Sequence, residues 1–137
     1  MKFKPKVLLD TNTFLYAIRY GIDIYTSTED ALLSRCEFIT LSRIIDELKE
    51  LAAKGGFMGR IAEKAIEYAQ SKCKIIDFNV ERIVSTDKLI VEFVKLNPKV
   101  LVITNDRELR RTLRKMCVPT GYIDLESKSI KVEYPLF

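Results

Sequence analysis

Histidine is absent from this chain. Its absence excludes Ser-His-Asp and Cys-His nucleophilic catalysis, histidine-ligated zinc sites, HExxH metalloproteases and ribonuclease mechanisms built on paired imidazoles. Cysteine is scarce. Cys36, Cys73 and Cys117 are odd in number, widely spaced and form no CxxC pair. Neither a disulfide framework nor a zinc ribbon is supported, and the three read as free thiols. No apolar run approaches the roughly 20 residues of a membrane-spanning helix. The N-terminal Met1-Lys2-Phe3-Lys4-Pro5-Lys6 leads into a short apolar run ended by Asp10, against the about 7–15 apolar residues of a secretory signal. A cytoplasmic location is the expectation. Internal repeats and low-complexity tracts are also missing. Any catalysis must therefore rest on carboxylates, lysines, hydroxyls or a metal held by oxygen ligands.

What is present is an ordinary globular composition. The chain has 137 residues, 47% hydrophobic and 31% charged, and is expected to form a single domain over 1–137 with a real core. Twenty-three Lys and Arg against nineteen Asp and Glu leave a net charge of +4. That is a weak lean toward a polyanionic partner.

Short apolar runs alternate with longer amphipathic stretches, the pattern of a parallel sheet wrapped by helices. Strands are expected at 6–10, 37–40, 74–77, 100–104 and 119–124, with an added edge strand at 129–134. Helices are expected at 11–20, from Ser27 (with Ser27 and Asp30 at capping-box spacing), 42–54, 58–72, 86–96 and 107–116. Gly55-Gly56 separates the third and fourth helices, and Asn97-Pro98 ends the fifth. The economical solution is an open, mostly parallel α/β sandwich. Such sheets bind ligands beyond the carboxyl ends of their strands, at a topological switch point. The first strand ends at Asp10 and the fourth at Thr104-Asn105-Asp106, so two carboxylates reach one rim.

Two further acids join them. On a helix advancing about 100° per residue, Ile44, Ile45, Leu48, Leu51 and Ala52 form one stripe. Glu47 lies about 40° outside its Leu51 edge, whereas Asp46 and Glu50 face water. Asp87, in Ser85-Thr86-Asp87-Lys88, sits in a first helical turn, where the helix dipole favours a carboxylate. Taken singly, Asp10, Asp87 and Asp106 are each explained by helix capping and Glu47 by a boundary position. Taken together, four acids in one pocket require a cation, because like charges at close range cannot all stay ionised. Mg²⁺ or Mn²⁺ suits carboxylate and water oxygens.

Val7-Leu8-Leu9-Asp10-Thr11-Asn12, Ile44-Ile45-Asp46-Glu47-Leu48, Asp87-Lys88-Leu89-Ile90 and Val102-Ile103-Thr104-Asn105-Asp106-Arg107-Glu108-Leu109 together resemble the PIN-domain nucleases. The resemblance spans nearly the whole chain in the right order. The first and last motifs are specific, the middle two weak alone. It implies a three-layer α/β/α sandwich with a mostly parallel sheet of about five strands plus a C-terminal edge strand. It also implies one or two Mg²⁺ or Mn²⁺ ions held by acids matching Asp10, Glu47, Asp87 and Asp106. Residues matching Asn12 and Thr104 are implied to support those acids by hydrogen bonds. The implied reaction is hydrolysis of RNA phosphodiesters, leaving a 5′-phosphate and a 3′-hydroxyl.

The C-terminal third, with Arg110, Arg111, Arg114, Val118-Pro119 and Tyr122-Ile123, is most similar to the branch that processes small-subunit rRNA and its archaeal single-domain relatives. A PIN toxin acting with an antitoxin protein is the alternative within the same chemistry, and a non-catalytic RNA-binding subunit of ribosome assembly the alternative outside it. Homodimers are common in the family. A haloacid-dehalogenase-like phosphatase is also imitated by Asp10-Thr11-Asn12-Thr13-Phe14, but Asn12 stands where that motif carries its second aspartate. The late paired-acid motif is missing too.

Arg107, Arg110, Arg111, Arg114 and Lys115 crowd the helix that starts at the proposed rim, opposed only by Glu108. They are expected to bind RNA phosphates. Tyr16 and Tyr20 read first as packing residues, with base stacking as the alternative.

Overall fold

Two of the strands are apolar along their whole buried length. Val7, Leu8 and Leu9 of β1 (Lys6–Leu9) and all of β4 (Val100–Ile103) are buried. Successive residues on a strand point to opposite faces, so burial of consecutive residues means that both faces of the sheet are covered. The computed structural model describes residues 4–83 and 85–133. The Met1-Lys2-Phe3 start and Tyr134 of the expected edge strand lie outside them.

The element order is β1, α1 (Thr11–Tyr20), α2 (Ile24–Leu32), β2 (Glu37–Leu41), α3 (Ser42–Ala53), α4 (Gly56–Lys72), β3 (Lys74–Ile76), α5 (Thr86–Leu96), β4, α6 (Arg107–Lys115), β5 (Thr120–Asp124) and β6 (Ser129–Glu133). The six strands lie in the order β3-β2-β1-β4-β5-β6. All neighbours are parallel except the β5–β6 hairpin. The fold is thus the expected α/β sandwich with a mostly parallel sheet, and the C-terminal segment does add an antiparallel edge strand.

From β1 the chain moves outward to β2 and β3, then crosses back to place β4 on the other side of β1 and continue to β5. The switch point therefore falls between β1 and β4. Their register pairs Leu9 with Ile103, and the Asp10 N–H continues the ladder to the Ile103 carbonyl at 3.2 Å. The residues that follow, Asp10 on one strand and Thr104 on the other, emerge side by side.

One helix begins earlier than its sequence signal. Asp23, not Ser27, caps α2, accepting from Thr26 N and Oγ1 at 3.2 and 2.8 Å. Ser27 lies inside the helix, and its hydroxyl accepts from Ile130 N of β6 at 2.9 Å. The capping-box spacing was a coincidence of polar residues on one turn. Helix α4 likewise starts at Gly56, two residues before the expected Met58. Gly55 and Gly56 both adopt φ +71°, so the reversal is confined to that pair. Beyond it, Gly59 lets α4 close on α3: a Cβ there would lie 3.1 Å from the Ala52 carbonyl oxygen.

Candidate functional site

Asp10 is 5% exposed and caps α1. Its Oδ1 accepts from Thr11 N and its Oδ2 from Thr104 Oγ1, both at 2.7 Å. Burial pushes its pKa up. The two hydrogen bonds oppose that shift, while the nearby charges of Glu47 and Asp106 add to it. The Thr104 hydroxyl has a second role, accepting from Asp106 N at 3.1 Å. One buried side chain therefore joins the end of β1 to the start of α6. Asp106 caps α6 through Leu109 N at 3.0 Å, so its capping explanation holds for one oxygen.

Glu47 projects from α3 as the helical spacing implied: half-buried, with Asp46 and Glu50 exposed on either side of the wheel. Its Oε1 accepts from the hydroxyls of Thr11, at 3.2 Å, and Thr86. Oε2 has no hydrogen-bond partner among the described residues. Thr11 and Thr86 were not among the residues the sequence singled out. The available signal was position: each follows directly on a capping residue, and so stands at a helix N-terminus facing the rim.

Asp87 is not a cap. Ser85 fills that role, accepting from Lys88 N at 3.2 Å, and the Asp87 side chain is left over. It stands at the exposed rim, yet its carboxyl is pushed up to about 6. Loss of water on its inner side is the largest cause. The charges of Asp10 and Asp106, a hydrogen bond shared with Asp106, and the charge of Glu47 follow. Asp10 and Asp87 thus each lie within electrostatic reach of both Glu47 and Asp106, and Asp87 within reach of Asp10. Among the described residues none of them is ion-paired to a Lys or Arg. Nor are any three Asp, Glu or Cys side chains among those residues already arranged to hold a metal ion. The geometry gathers the charges without closing them into a cage.

Asn12 does something other than support an acid. Its Oδ1 accepts from Asn105 N at 3.4 Å, steadying the loop between β4 and α6. Asn105 in turn bonds the Ile123 backbone through both ends of its amide, Nδ2 to the carbonyl at 3.0 Å and Oδ1 from the N–H at 2.8 Å. It extends the β4–β5 pairing with a side chain. Buried Thr13 and Thr40 complete the frame, donating to the Ile103 and Leu9 carbonyls at 3.0 and 2.9 Å. The strand ends that carry Asp10 and Thr104 are therefore held from every side.

A family model described as a PIN-like domain matches residues 7–126, a span that includes all four acids. The chain belongs to this family. Ribonuclease VapC4 of Methanocaldococcus jannaschii is 30% identical over 117 residues, covering 83% of this chain and 86% of that protein. Among solved structures, the PIN domain endonuclease Utp24 superposes with a TM-score of 0.80 at 22% identity, over 94% of this chain and 91% of that one. VapBC2 from Rickettsia felis, bound to a DNA fragment from its promoter, gives a TM-score of 0.56 at 19% identity over 77% of this chain and 92% of that one. VapBC-1 from nontypeable Haemophilus influenzae gives 0.52 at 14% over 88% and 98%. At these identities the structural matches establish the PIN fold, as the motifs implied.

The basic helix of this PIN domain divides into two sets. Arg110 turns inward: its side chain is 14% exposed, pairs with Glu133 Oε1 at 3.3 Å and donates to the Thr104 carbonyl at 3.1 Å. Its guanidinium lies 4.6 Å from the centre of the Tyr122 ring. Arg114 also reaches Glu133, at 3.1 Å, but is 47% exposed. The expectation of five RNA-facing cations is corrected for Arg110, which fastens α6 to the β5–β6 hairpin. Arg107, Arg111 and Lys115 are exposed, and Arg114 is partly available. Elsewhere, no helix among the described residues is long and apolar enough to cross a membrane.

Proposed function

We propose that this PIN domain is a divalent-metal-dependent endoribonuclease, with ribosomal RNA precursors as its substrate class. The observation that carries the reading is the convergence of Asp10, Glu47, Asp87 and Asp106 at the switch point, without a compensating cation among the described residues. An all-oxygen donor set of this kind fits Mg²⁺ or Mn²⁺. When bound, such an ion acidifies water, polarises the scissile phosphate and neutralises developing charge.

The chain's own contributions follow from the bonds described. Thr104 fixes the Asp10 carboxylate and the start of α6 together. Thr11 and Thr86 hold one oxygen of Glu47, leaving the other for a ligand. Asp106 spends Oδ1 on its cap and shares a hydrogen bond with Asp87. Asp87, at the rim, has a carboxyl pushed up to about 6, so a cation nearby would favour its charged form. Arg107, Arg111 and Lys115 supply positive charge where a polyanion would lie beside this rim. The rRNA assignment draws on the basic α6 and on the resemblance of the motifs in the C-terminal third to the rRNA-processing branch. The 30% identity with Ribonuclease VapC4 supports a second reading, a toxin ribonuclease held by an antitoxin protein. Cleavage of pre-rRNA, as against growth arrest on expression, separates the two.

The decisive variant is Asp10→Asn, which keeps the shape and an acceptor for Thr104. It is expected to lower Mg²⁺- or Mn²⁺-dependent RNA cleavage by at least about 100-fold with an unchanged circular dichroism spectrum. Cleavage that persists in the variant, or in excess EDTA, contradicts the proposal. RNA binding without any cleavage by the wild type indicates a non-catalytic assembly role instead.

A further inference from the structure

Next to the acid cluster is a second concavity of about 360 Å³. It opens between α1, the start of α6 and the turn from β5 to β6. Tyr16, Arg107, Tyr122, Ile123, Leu125 and Glu126 are among its lining residues, and Asn105 and Arg107, which flank Asp106, form one wall. The two sites are therefore neighbours across a single residue.

We infer that this cavity receives the nucleoside adjoining the phosphate that the acid cluster cleaves, an assignment that rests on the nuclease reading above. Its volume lies within the range of small-molecule sites, about 300–1,000 Å³. Its lining combines the chemistry that a nucleotide needs. Tyr16 and Tyr122 offer aromatic rings, and Leu125 offers aliphatic surface, for the faces of a base. The Arg110 guanidinium lies over the Tyr122 ring, and that pair is part of the wall. Leu125 is 42% exposed at the mouth, an apolar surface without cover.

The polar groups divide in the same way. Asp124 is committed to its own turn, accepting from Glu126 N at 3.3 Å and Ser127 Oγ at 2.8 Å. The Asn105 amide is committed to Ile123. Arg107 and Glu126 are exposed, and neither side chain forms a hydrogen bond or ion pair among the described residues. Arg107, next to Asp106 in sequence, is a cation unpaired among the described residues, suited to a phosphate. Glu126, in the turn between β5 and β6, is an acceptor without a partner among the described residues, suited to the N–H groups on a base edge. The cation stands on the side of the acids and the acceptor on the side of the β5–β6 turn, so the ligand has a direction: phosphate toward Asp106, base toward Glu126.

The test is an NMR titration of the wild-type protein in EDTA with each of the four ribonucleoside 5′-monophosphates, and with ribose 5-phosphate as the baseless control. These ligands contain no phosphodiester, so binding is read independently of cleavage. The tightest-binding nucleotide is expected to exceed ribose 5-phosphate about tenfold, with amide shifts concentrated at Asn105, Arg107 and residues 122–126. Tyr16→Ala, and separately Leu125→Ala at the exposed mouth, are expected to weaken that nucleotide about fivefold, the lower end for loss of one stacking or apolar partner. Ribose 5-phosphate binding is expected to be unaffected. Equal binding of all four nucleotides and the control, or shifts centred elsewhere, overturns the assignment.

A cleavage arm uses oligoribonucleotides randomised beside the cut. The ratio of rates between favoured and disfavoured nucleotides is expected to fall toward one in Tyr16→Ala. Nucleotide binding at the cavity with no RNA cleavage by the wild type refutes the nuclease reading and leaves the binding site. Cleavage without nucleotide binding refutes the cavity alone.

Discussion

Thr104 shows how much of the site depends on one hydroxyl. It gives its proton to Asp10 Oδ2 and accepts the Asp106 N–H, so two acids from strands distant in sequence share one support. Thr104→Val keeps the shape and removes both bonds. It is expected to lower cleavage about 10–100-fold, as loss of a supporting partner of a ligand does. Stability is expected to drop by about 1–3 kcal/mol for the buried groups left unpaired, read from urea unfolding. Unaltered activity and stability would show that Asp10 is held by other means. Asp87 gives a pH test. In the metal-free protein its folded pKa of about 6 lies above the ordinary 3.8. Between about pH 4 and 6 the folded state then retains a proton that the unfolded chain has lost, and stability falls as pH rises through that window. Asp87→Asn is expected to make the fall shallower, with raised Asp10 accounting for the remainder. The same slope in both proteins would contradict the electrostatic coupling. The sequence exposed both acids but not their roles, because Ser85 and Asp87 are equally good caps in one dimension. Only the backbone decides which residue is used.

Helix α6 carries the clearest difference between composition and structure. A dense run of cations reads as a phosphate-binding face, and periodicity places Leu109 and Leu113 toward the core, where both are buried. What the run does not reveal is Glu133, 23 positions beyond Arg110 and on the edge strand β6, which draws Arg110 and Arg114 toward the hairpin. Arg110→Ala is expected to cost about 1–3 kcal/mol of stability. Arg111→Ala is expected to leave stability within about 0.5 kcal/mol. It should nonetheless weaken RNA binding and reduce the slope of log affinity against log salt by about 1. Denaturation curves and salt-dependent binding of both variants check the division; a stability loss for Arg111→Ala, or none for Arg110→Ala, would reverse it. Most elements were legible because strongly apolar runs and their breakers coincide, as at Val100–Ile103 between Pro98 and Asp106. The start of α2 was not, because Asp23, Ser27 and Asp30 offer competing caps. Tyr68, far along the chain, helps fix the choice by accepting from Ile24 N at 2.8 Å.

At the scale of the molecule, strand order does what no motif can do alone. Placing β1 beside β4 sets Asp10 next to Thr104. The helices then bring in Glu47 and Asp87, so acids from four separate segments meet in one field. The sequence carried the four acids and the parallel α/β class. It left Thr11 and Thr86 hidden, because their hydroxyls acquire meaning only once α1, α3 and α5 are packed together. Desolvation and the neighbouring negative charges oppose ionisation of Asp10 and Asp87, and a divalent cation at the cluster would favour their charged forms. The most direct test is anomalous diffraction at the manganese edge from a crystal soaked in Mn²⁺. The expected result is a peak among the carboxylates of Asp10, Glu47, Asp87 and Asp106, reduced or lost in Asp10→Asn. No peak at that position, or a peak held by other residues, would contradict the central claim.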